Sequence, residues 1–158
     1  MLLDNNDYVH REYLEYTVNC FEEFLGVTVK LLSKKCSNNS AGMGAFALEY
    51  QYIPENYRIK FEYEKLYFDV HIQKNNGGDI SLCEACQNII DCQYGRKWSD
   101  WALGKENIEK AIQELAILLK SKSDLLYFYV YKDGKVYCDK DGKLTRLKDF
   151  SKRKVHLE

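Results

Sequence analysis

Long apolar runs and an export signal are both missing from this sequence. A membrane-spanning helix needs about 20 consecutive, mainly apolar residues, and no stretch of the chain approaches that length. The N-terminal stretch MLLDNNDYVHREY lacks the basic segment, apolar segment and small-residue cleavage site of a secretory signal. These absences predict a soluble, cytoplasmic protein that has no membrane partner. In a reducing cytosol, its six cysteines are expected to remain thiols.

Proline and histidine are scarce, and the familiar catalytic motifs are absent. Pro54 is the only proline, and histidine occurs only at positions 10, 71 and 156. The chain has no Gly-x-Ser-x-Gly, His-Glu-x-x-His or Walker sequence, and Gly42-Met43-Gly44 lacks the lysine of a phosphate-binding loop. A cysteine–histidine nucleophile pair stays open, although the spacing selects no histidine for it. We therefore predict a non-enzymatic protein with no catalytic residues and no cofactor.

Charge of one sign is not in excess overall, but it is unevenly spread. The net charge is −1, yet residues 1–28 hold six acids against one base, and residues 130–156 hold nine bases against four acids. General nucleic-acid binding depends on a net basic surface, so we predict no nucleic-acid partner. An acidic helix facing a basic partner is the better use of this asymmetry.

The length of 158 residues is typical of one globular domain, which we place at 1–156. The last two residues, Leu157-Glu158, match the start of a purification-tag junction. Lysine outnumbers arginine 18 to 5, and asparagine and tyrosine are abundant. Such a composition is typical of a bacterium with an AT-rich genome.

Two segments have the periodicity of amphipathic helices. Over residues 7–25, apolar side chains recur at steps of three and four, with Asp4 and Asp7 forming the cap and Gly26 the stop. The second helix is predicted over residues 105–120. Its buried stripe consists of Ile108, Ile112, Leu115, Ala116 and Leu119.

Two features associated with these helices have a structural and a functional interpretation. The first helix has an acidic face, which is either a solvated surface or a partner-binding surface. Its members are Glu12, Glu15, Glu22 and Glu23. Trp98 and Trp101 precede the second helix, and we predict that they seat this helix on a sheet rather than bind a ligand.

Alternating apolar residues predict antiparallel strands in the middle of the chain. Strands are expected at 27–32 and 45–52, with a loop between them, and a hairpin at 58–72. A turn at Glu64-Lys65 would place the apolar residues of both hairpin strands on one face. The expected pairs are Tyr63 with Leu66, Phe61 with Phe68, and Ile59 with Val70.

The polar face of this hairpin holds His71 together with Asp69. An exposed strand histidine is the expected interpretation, and a catalytic role is the alternative. Next along the chain, KNNGGD at 74–79 predicts a turn, and a further strand begins at Ile80.

The C-terminal third predicts a three-stranded meander. Lys-Asp-Gly-Lys occurs at 132–135 and again at 140–143, and Asp-Gly is a strong hairpin turn. The strands would cover 126–131, 135–138 and 143–147, although residues 124–131 also suit a helix extension. As a strand, the first segment places three tyrosines on one face, which suits either a protein interface or sheet packing. They are Tyr127, Tyr129 and Tyr131.

Three of the six cysteines lie in the segment SLCEACQNIIDC, at Cys83, Cys86 and Cys92. A closed zinc site needs four ligands, and a second pair would have to come from distant residues. Thiol–disulfide chemistry would place Cys83-x-x-Cys86 at a strand-to-helix junction, but the chain lacks the later proline of thioredoxin-like folds. Burial as small apolar residues needs the fewest coincidences. Metal binding by Cys83, Cys86 and Cys92 stays as the alternative hypothesis.

The order of these elements resembles that of small single-domain bacterial immunity proteins, which neutralise polymorphic toxins. The resemblance lies in the acidic N-terminal helix, the hairpin RIKFEYEKLYFDVHI and the late helix in KWSDWALGKENIEKAIQELAILLK. It is a resemblance of layout and assigns no role to any residue. It implies a non-catalytic protein that binds one protein partner tightly.

Together, these patterns predict an α+β fold: a mainly antiparallel sheet with an N-terminal helix and a later amphipathic helix packed against it. The predicted function is stoichiometric binding of a protein partner, such as a basic toxin domain. The acidic helix face and the three tyrosines are the candidate contacts, and the oligomeric state is undetermined. A cysteine-centred metal or redox protein and an adaptor subunit of a larger assembly are the alternatives.

Overall fold

Alternating apolar and polar residues build one antiparallel sheet of eight strands. The computed structural model describes residues 8–38, 44–89, 92, 94–95, 97–140 and 142–147, and the sheet is that of these residues. Each strand pairs with the next one along the chain. The strands are β1 Val29–Ser37, β2 Ala45–Tyr52, β3 Tyr57–Glu64, β4 Tyr67–Gln73, β5 Asp79–Ser81, β6 Phe128–Lys132, β7 Lys135–Lys140 and β8 Lys143–Arg146.

Three α-helices accompany the sheet in this part of the chain: α1 Arg11–Phe24, α2 Leu82–Asn88 and α3 Lys105–Ser121. The structure therefore confirms the predicted α+β class, with an N-terminal and a later helix against an antiparallel sheet. Within the described ranges, no helix has the length and apolar character needed to cross a bilayer.

The two long helices pack on one face of the sheet. Phe21 of α1 stacks on Tyr50 of β2 with ring centroids 4.1 Å apart, and the hydroxyl of Tyr52 donates to the carbonyl oxygen of Leu119 in α3. Alternate side chains of β2, β3 and β4 are buried beneath the helices. Each large apolar side chain buried in this way contributes about 1.5–3 kcal/mol.

The predicted helices are confirmed, with small differences at their ends. The five apolar residues predicted for the stripe of α3 are all buried. In α1, Cys20 is buried together with Leu14 and Phe21. The chain leaves α1 through Gly26 at φ 53°, a conformation that favours glycine. The predicted cap formed by Asp4 and Asp7 lies outside the described residues, as do His156 and 157–158.

The strand predicted at 27–32 is displaced in the structure. Val27 is 94% exposed, and β1 continues to Ser37 through residues that were predicted to form a loop. The lysines of this segment suit it because β1 is an edge strand, where charged side chains discourage pairing with other chains. The bulge between Leu31 and Ser33 interrupts the same edge. The second predicted strand, 45–52, matches β2.

The hairpin of β3 and β4 forms, but its predicted turn was one residue too early. The turn residues are Lys65 and Leu66, at φ 54° and 73°. The observed partners are Tyr63 with Phe68, Phe61 with Val70, and Ile59 with Ile72. Leu66 is exposed at the turn rather than paired with Tyr63. The buried face is the predicted one because the register moved by two residues, a full side-chain period.

The C-terminal meander is attached to the rest of the sheet by few contacts. Its three strands lie close to the predicted ranges, and residues 123–125 form a 3-10 turn before β6. The pairing of β5 with β6 consists of one residue pair, Asp79 with Tyr129. A second link is the fully buried carboxylate of Asp139, which accepts hydrogen bonds from Lys74 (2.9 Å) and Asn76 (2.7 Å). These bonds outweigh burial and hold the pKa of Asp139 below its usual value.

The Lys65-Leu66 turn has a matched counterpart in Asp133-Gly134, at φ 53° and 75°. Left-handed backbone costs a non-glycine residue about 1–2 kcal/mol. We therefore expect the double substitution Lys65→Asn/Leu66→Gly to raise the free energy of unfolding by about 1 kcal/mol. Urea denaturation measures this change in the free energy of unfolding, and the slope of that free energy against urea concentration should stay the same. The reverse graft, Asp133→Lys/Gly134→Leu, should lower stability, and equal effects at both turns would contradict the explanation.

Candidate functional site

A groove of about 740 Å³ lies on the face of the sheet that the long helices leave uncovered. Its floor consists of outward-pointing side chains of β2, β3 and β4, and its wall of α2 and the segment from 95 to 101. Floor residues include Ala45, Ala47, Glu62, Glu64, Asp69 and His71. Wall residues include Cys83, Gln87, Lys97 and Trp98. A concave surface of this size with mixed apolar and polar lining is typical of a binding site.

Backbone contacts fix the wall against the sheet. Ser81 caps α2 by accepting a hydrogen bond from the amide of Glu84 at 3.1 Å. Further along, the side chain of Asp100 accepts from the amides of Gly95 and Lys97, at 3.2 and 3.1 Å. The amide of Leu103 donates to the carbonyl of Leu66 at 2.8 Å, which ties the segment to the β3–β4 turn. These hydrogen bonds therefore hold the wall in a defined position beside the β3–β4 turn.

The two tryptophans of the wall have different roles. Trp101 is 7% exposed and packs on Phe68 of β4 with ring centroids 5.4 Å apart, as predicted. The same prediction was wrong for Trp98, which is 75% exposed and contacts Tyr67 at 4.9 Å. A large aromatic side chain that is exposed to water beside a groove is typical of a binding contact. Sequence reasoning missed it because both tryptophans precede the same helix.

His71 is held between two carboxylates on the groove floor. Its Nε2 lies 2.8 Å from Asp69, and its Nδ1 lies 3.1 Å from Asp79. The hydrogen bonds with Asp69 and then with Asp79 raise the pKa of His71 to about 10. The ring is half-buried and paired, which corrects the expectation of an exposed histidine. An imidazolium with both nitrogens engaged does not act as a general base at neutral pH.

Cys83 is the cysteine of SLCEACQNIIDC that lines the groove. Its thiol donates to the carbonyl of Gly95 at 3.4 Å and accepts from the side chain of Gln87 at the same distance. Burial, followed by the nearby charge of Asp69, raises the thiol pKa. Because the thiolate is the nucleophilic form, this environment does not activate Cys83. Cys83 and His71 therefore do not have the properties of a cysteine–histidine nucleophile pair.

Cys86 and Cys92 lie in the interior rather than in the groove. Both are fully buried, as the core-packing interpretation of the segment predicted. The structure places them beside Glu114 of α3, while the thiol of Cys83 contacts Gly95 and Gln87. Residues 83 and 86 are only about 60° apart around α2, and Cys86 is the one of the two that is fully buried. Of the three cysteines in the alternative metal hypothesis, the structure therefore brings two, Cys86 and Cys92, together with Glu114.

The acidic face of α1 is exposed on the opposite side of the molecule. Glu12, Glu15, Glu22 and Glu23 are all exposed, and Glu12 lies 3.7 Å from Lys105. Because α1 covers the other face of the sheet, a compact partner in the groove does not reach this acidic face. The two surfaces are therefore separate candidates for a partner.

The three tyrosines near β6 do not form a common surface. Tyr129 is 6% exposed, and Tyr127 packs edge-to-face against it with centroids 5.6 Å apart. They belong to a small second core with Val136, Cys138 and Leu147. Tyr131 is 65% exposed beyond this core. The structure corrects the expected three-tyrosine surface, and a partner contact stays a prediction for Tyr131.

The paired His71 predicts an unusual pH dependence of stability. Its folded pKa of about 10 lies above the value of about 6.5 in unfolded chains. The stabilisation is therefore complete below about pH 6.5 and is lost as the pH rises through about 10. We expect His71→Gln to lower the free energy of unfolding by about 1–2 kcal/mol at about pH 6, with a smaller loss at higher pH. Urea denaturation across this range measures it.

Ring nitrogen shifts in NMR spectra test the cause directly. The folded protein should show no deprotonation of His71 below about pH 8. A titration midpoint near the unfolded value would contradict the ion pairs, whatever the stability data show.

Comparison of the chain with protein-family models, with curated proteins and with solved structures gave no match. The function is therefore argued from the groove itself. Its distinguishing features are the exposed Trp98, the carboxylates of the floor and the paired His71.

Proposed function

We propose that this protein is a non-catalytic binding domain that holds a protruding segment of one protein partner in the groove. The observation that carries the proposal is Trp98, which is 75% exposed on Tyr67 at the groove. Tryptophan and tyrosine dominate the binding energy of protein interfaces because they bury large areas at low entropic cost. A partner segment that covers Trp98 removes this apolar area from water.

Two carboxylates of the groove floor, Glu62 and Glu64, support a basic contact in the partner segment, while Lys35 and Lys97 line other parts of the same groove. Among the described residues, neither Glu62 nor Glu64 has an ion-pair partner. On the same face, Glu49 pairs with Arg58 at 2.5 Å, and Asp69 pairs with His71. A lysine or arginine of the partner would give Glu62 and Glu64 an ion-pair partner, as Arg58 and His71 do for Glu49 and Asp69. Complementary charge of this kind directs specificity and association rate.

The chemistry of the groove supports binding rather than turnover. Cys83 is a hydrogen-bonded thiol with a raised pKa, and His71 is an imidazolium paired on both nitrogens. These groups shape and charge the surface without an activated nucleophile or base. The proposal therefore needs only a stable complex with the partner.

The biological role that we propose is that of an immunity protein, acting in the cytoplasm against a cognate toxin. Stoichiometric inhibition requires a preformed surface and a tight complex, and both suit a groove fixed by backbone contacts. Neither nucleic acid nor a membrane takes part. An adaptor subunit would use the same groove for another partner, so the identity of the bound protein separates the two roles.

Co-expression with toxins encoded beside the gene, followed by pull-down and titration calorimetry, tests this role. Trp98→Ala should weaken the complex by about 2 kcal/mol, or about 30-fold in Kd, because it removes a central aromatic contact. Tyr131→Ala tests the other predicted aromatic contact, since Tyr131 is also exposed but lies outside the groove. Equal losses in both variants would place the interface elsewhere. Protection by neither wild type nor variant would overturn the toxin role.

The charge of the partner is tested separately. Glu62→Gln/Glu64→Gln should slow association and reduce its dependence on salt, because the steering charges are removed. Glu22→Gln/Glu23→Gln on α1 removes the same charge from the opposite surface. A larger effect of the α1 pair would assign the interface to the acidic helix instead. Stopped-flow association at two salt concentrations distinguishes these outcomes.

A further inference from the structure

A buried cluster of two thiols and one carboxylate lies behind the groove wall. The Sγ atoms of Cys86 and Cys92 and a carboxylate oxygen of Glu114 all lie within 4.8 Å of one another. Cys86 belongs to α2 and Glu114 to α3, while Cys92 follows α2 along the chain. Residues distant in the sequence therefore bring three metal-ligating atoms to one point.

Glu114 is the unexpected member of this cluster. It lies on the buried side of α3 with Ala111 and Leu118 and is 9% exposed. Glutamate is almost never buried at this level without a charged partner. Among the described residues, no lysine, arginine or histidine forms an ion pair with it. A thiol is a weak donor and offsets little of the cost of burying a carboxylate.

We infer that Cys86, Cys92 and Glu114 form a binding site for a zinc ion. Thiolate sulfur and carboxylate oxygen are both zinc ligands, and the pair of thiolates disfavours magnesium and calcium. Tetrahedral zinc separates such ligands by about 3.5–3.8 Å, so the three atoms need to move by only about 1 Å. Binding releases the two thiol protons, and water completes the four-coordinate shell.

The ion would connect elements of the fold to one another. It links the end of α2 and the segment after it to the middle of α3. The same segment leads directly into Gly95, Lys97 and Trp98 of the groove wall. Zinc in this position would hold the wall from behind, and its fourth coordination position would stay with water. This inference does not depend on the identity of the partner in the groove.

Cobalt titration of the full chain, after treatment with chelator and reductant, tests the site. Wild-type protein should bind one equivalent and develop a thiolate-to-cobalt charge-transfer band, which zinc then abolishes. Cys86→Ser and Glu114→Gln should each weaken binding by more than about tenfold, the lower limit for loss of an outer-shell partner. Cys83→Ser is the matched control, because it removes the other cysteine of the same helix and should bind cobalt like wild type.

Three results would overturn the inference. They are the absence of the band in wild type, unchanged binding by Glu114→Gln, and an equal loss in Cys83→Ser. Circular dichroism of each metal-free variant shows whether the fold is retained. Glu114→Gln is the decisive variant, because it keeps both thiols and nearly the same side-chain volume. Zinc should also raise the melting temperature of wild type but not that of Glu114→Gln.

Discussion

The strict alternation of apolar and polar side chains along β2, β3 and β4 decides most of the architecture. It directs the large side chains of all three strands to one face, where α1 and α3 cover them. Both long helices are used on that face, so among the described residues the polar face is partly covered by α2 and by Gly95, Lys97, Trp98 and Trp101. The groove is the space that this short cover leaves open. One pattern thus sets both the core and the candidate binding surface.

The parts of the fold that could be predicted were those set by the local spacing of apolar residues along the sequence. The limits of α3 and β2 and the buried face of the hairpin follow from spacing alone. The turn at Lys65-Leu66 did not, because Leu66 has the polarity of a strand residue and its positive φ has no sequence signal. Similarly, the strand character of Lys34 and Lys35 depends on their position at a sheet edge.

The candidate site was less predictable because it depends on contacts between distant elements. Trp98 is separated from Tyr67 by 31 positions, and the exposure of Trp98 follows from how the wall folds over the sheet. His71 and Asp69 were correctly placed on one strand face, but the second carboxylate comes from β5. In the cysteine segment, the conspicuous Cys83-x-x-Cys86 spacing gave no sign of the contact with Glu114. The structure joins Cys86 to Cys92 and to a glutamate in another helix.

The narrow junction between β5 and β6 has a consequence for the dynamics of the chain. One strand residue pair, the Asp139 hydrogen bonds and the packing of Phe128 against Tyr57 connect β6, β7 and β8 to the first five strands, whereas β2, β3 and β4 pair along their full lengths. We therefore expect amide protons of the last three strands to exchange with solvent through a partial opening that costs less than global unfolding. In such an opening the first five strands would keep their hydrogen bonds, and the strands that form the groove floor would stay folded.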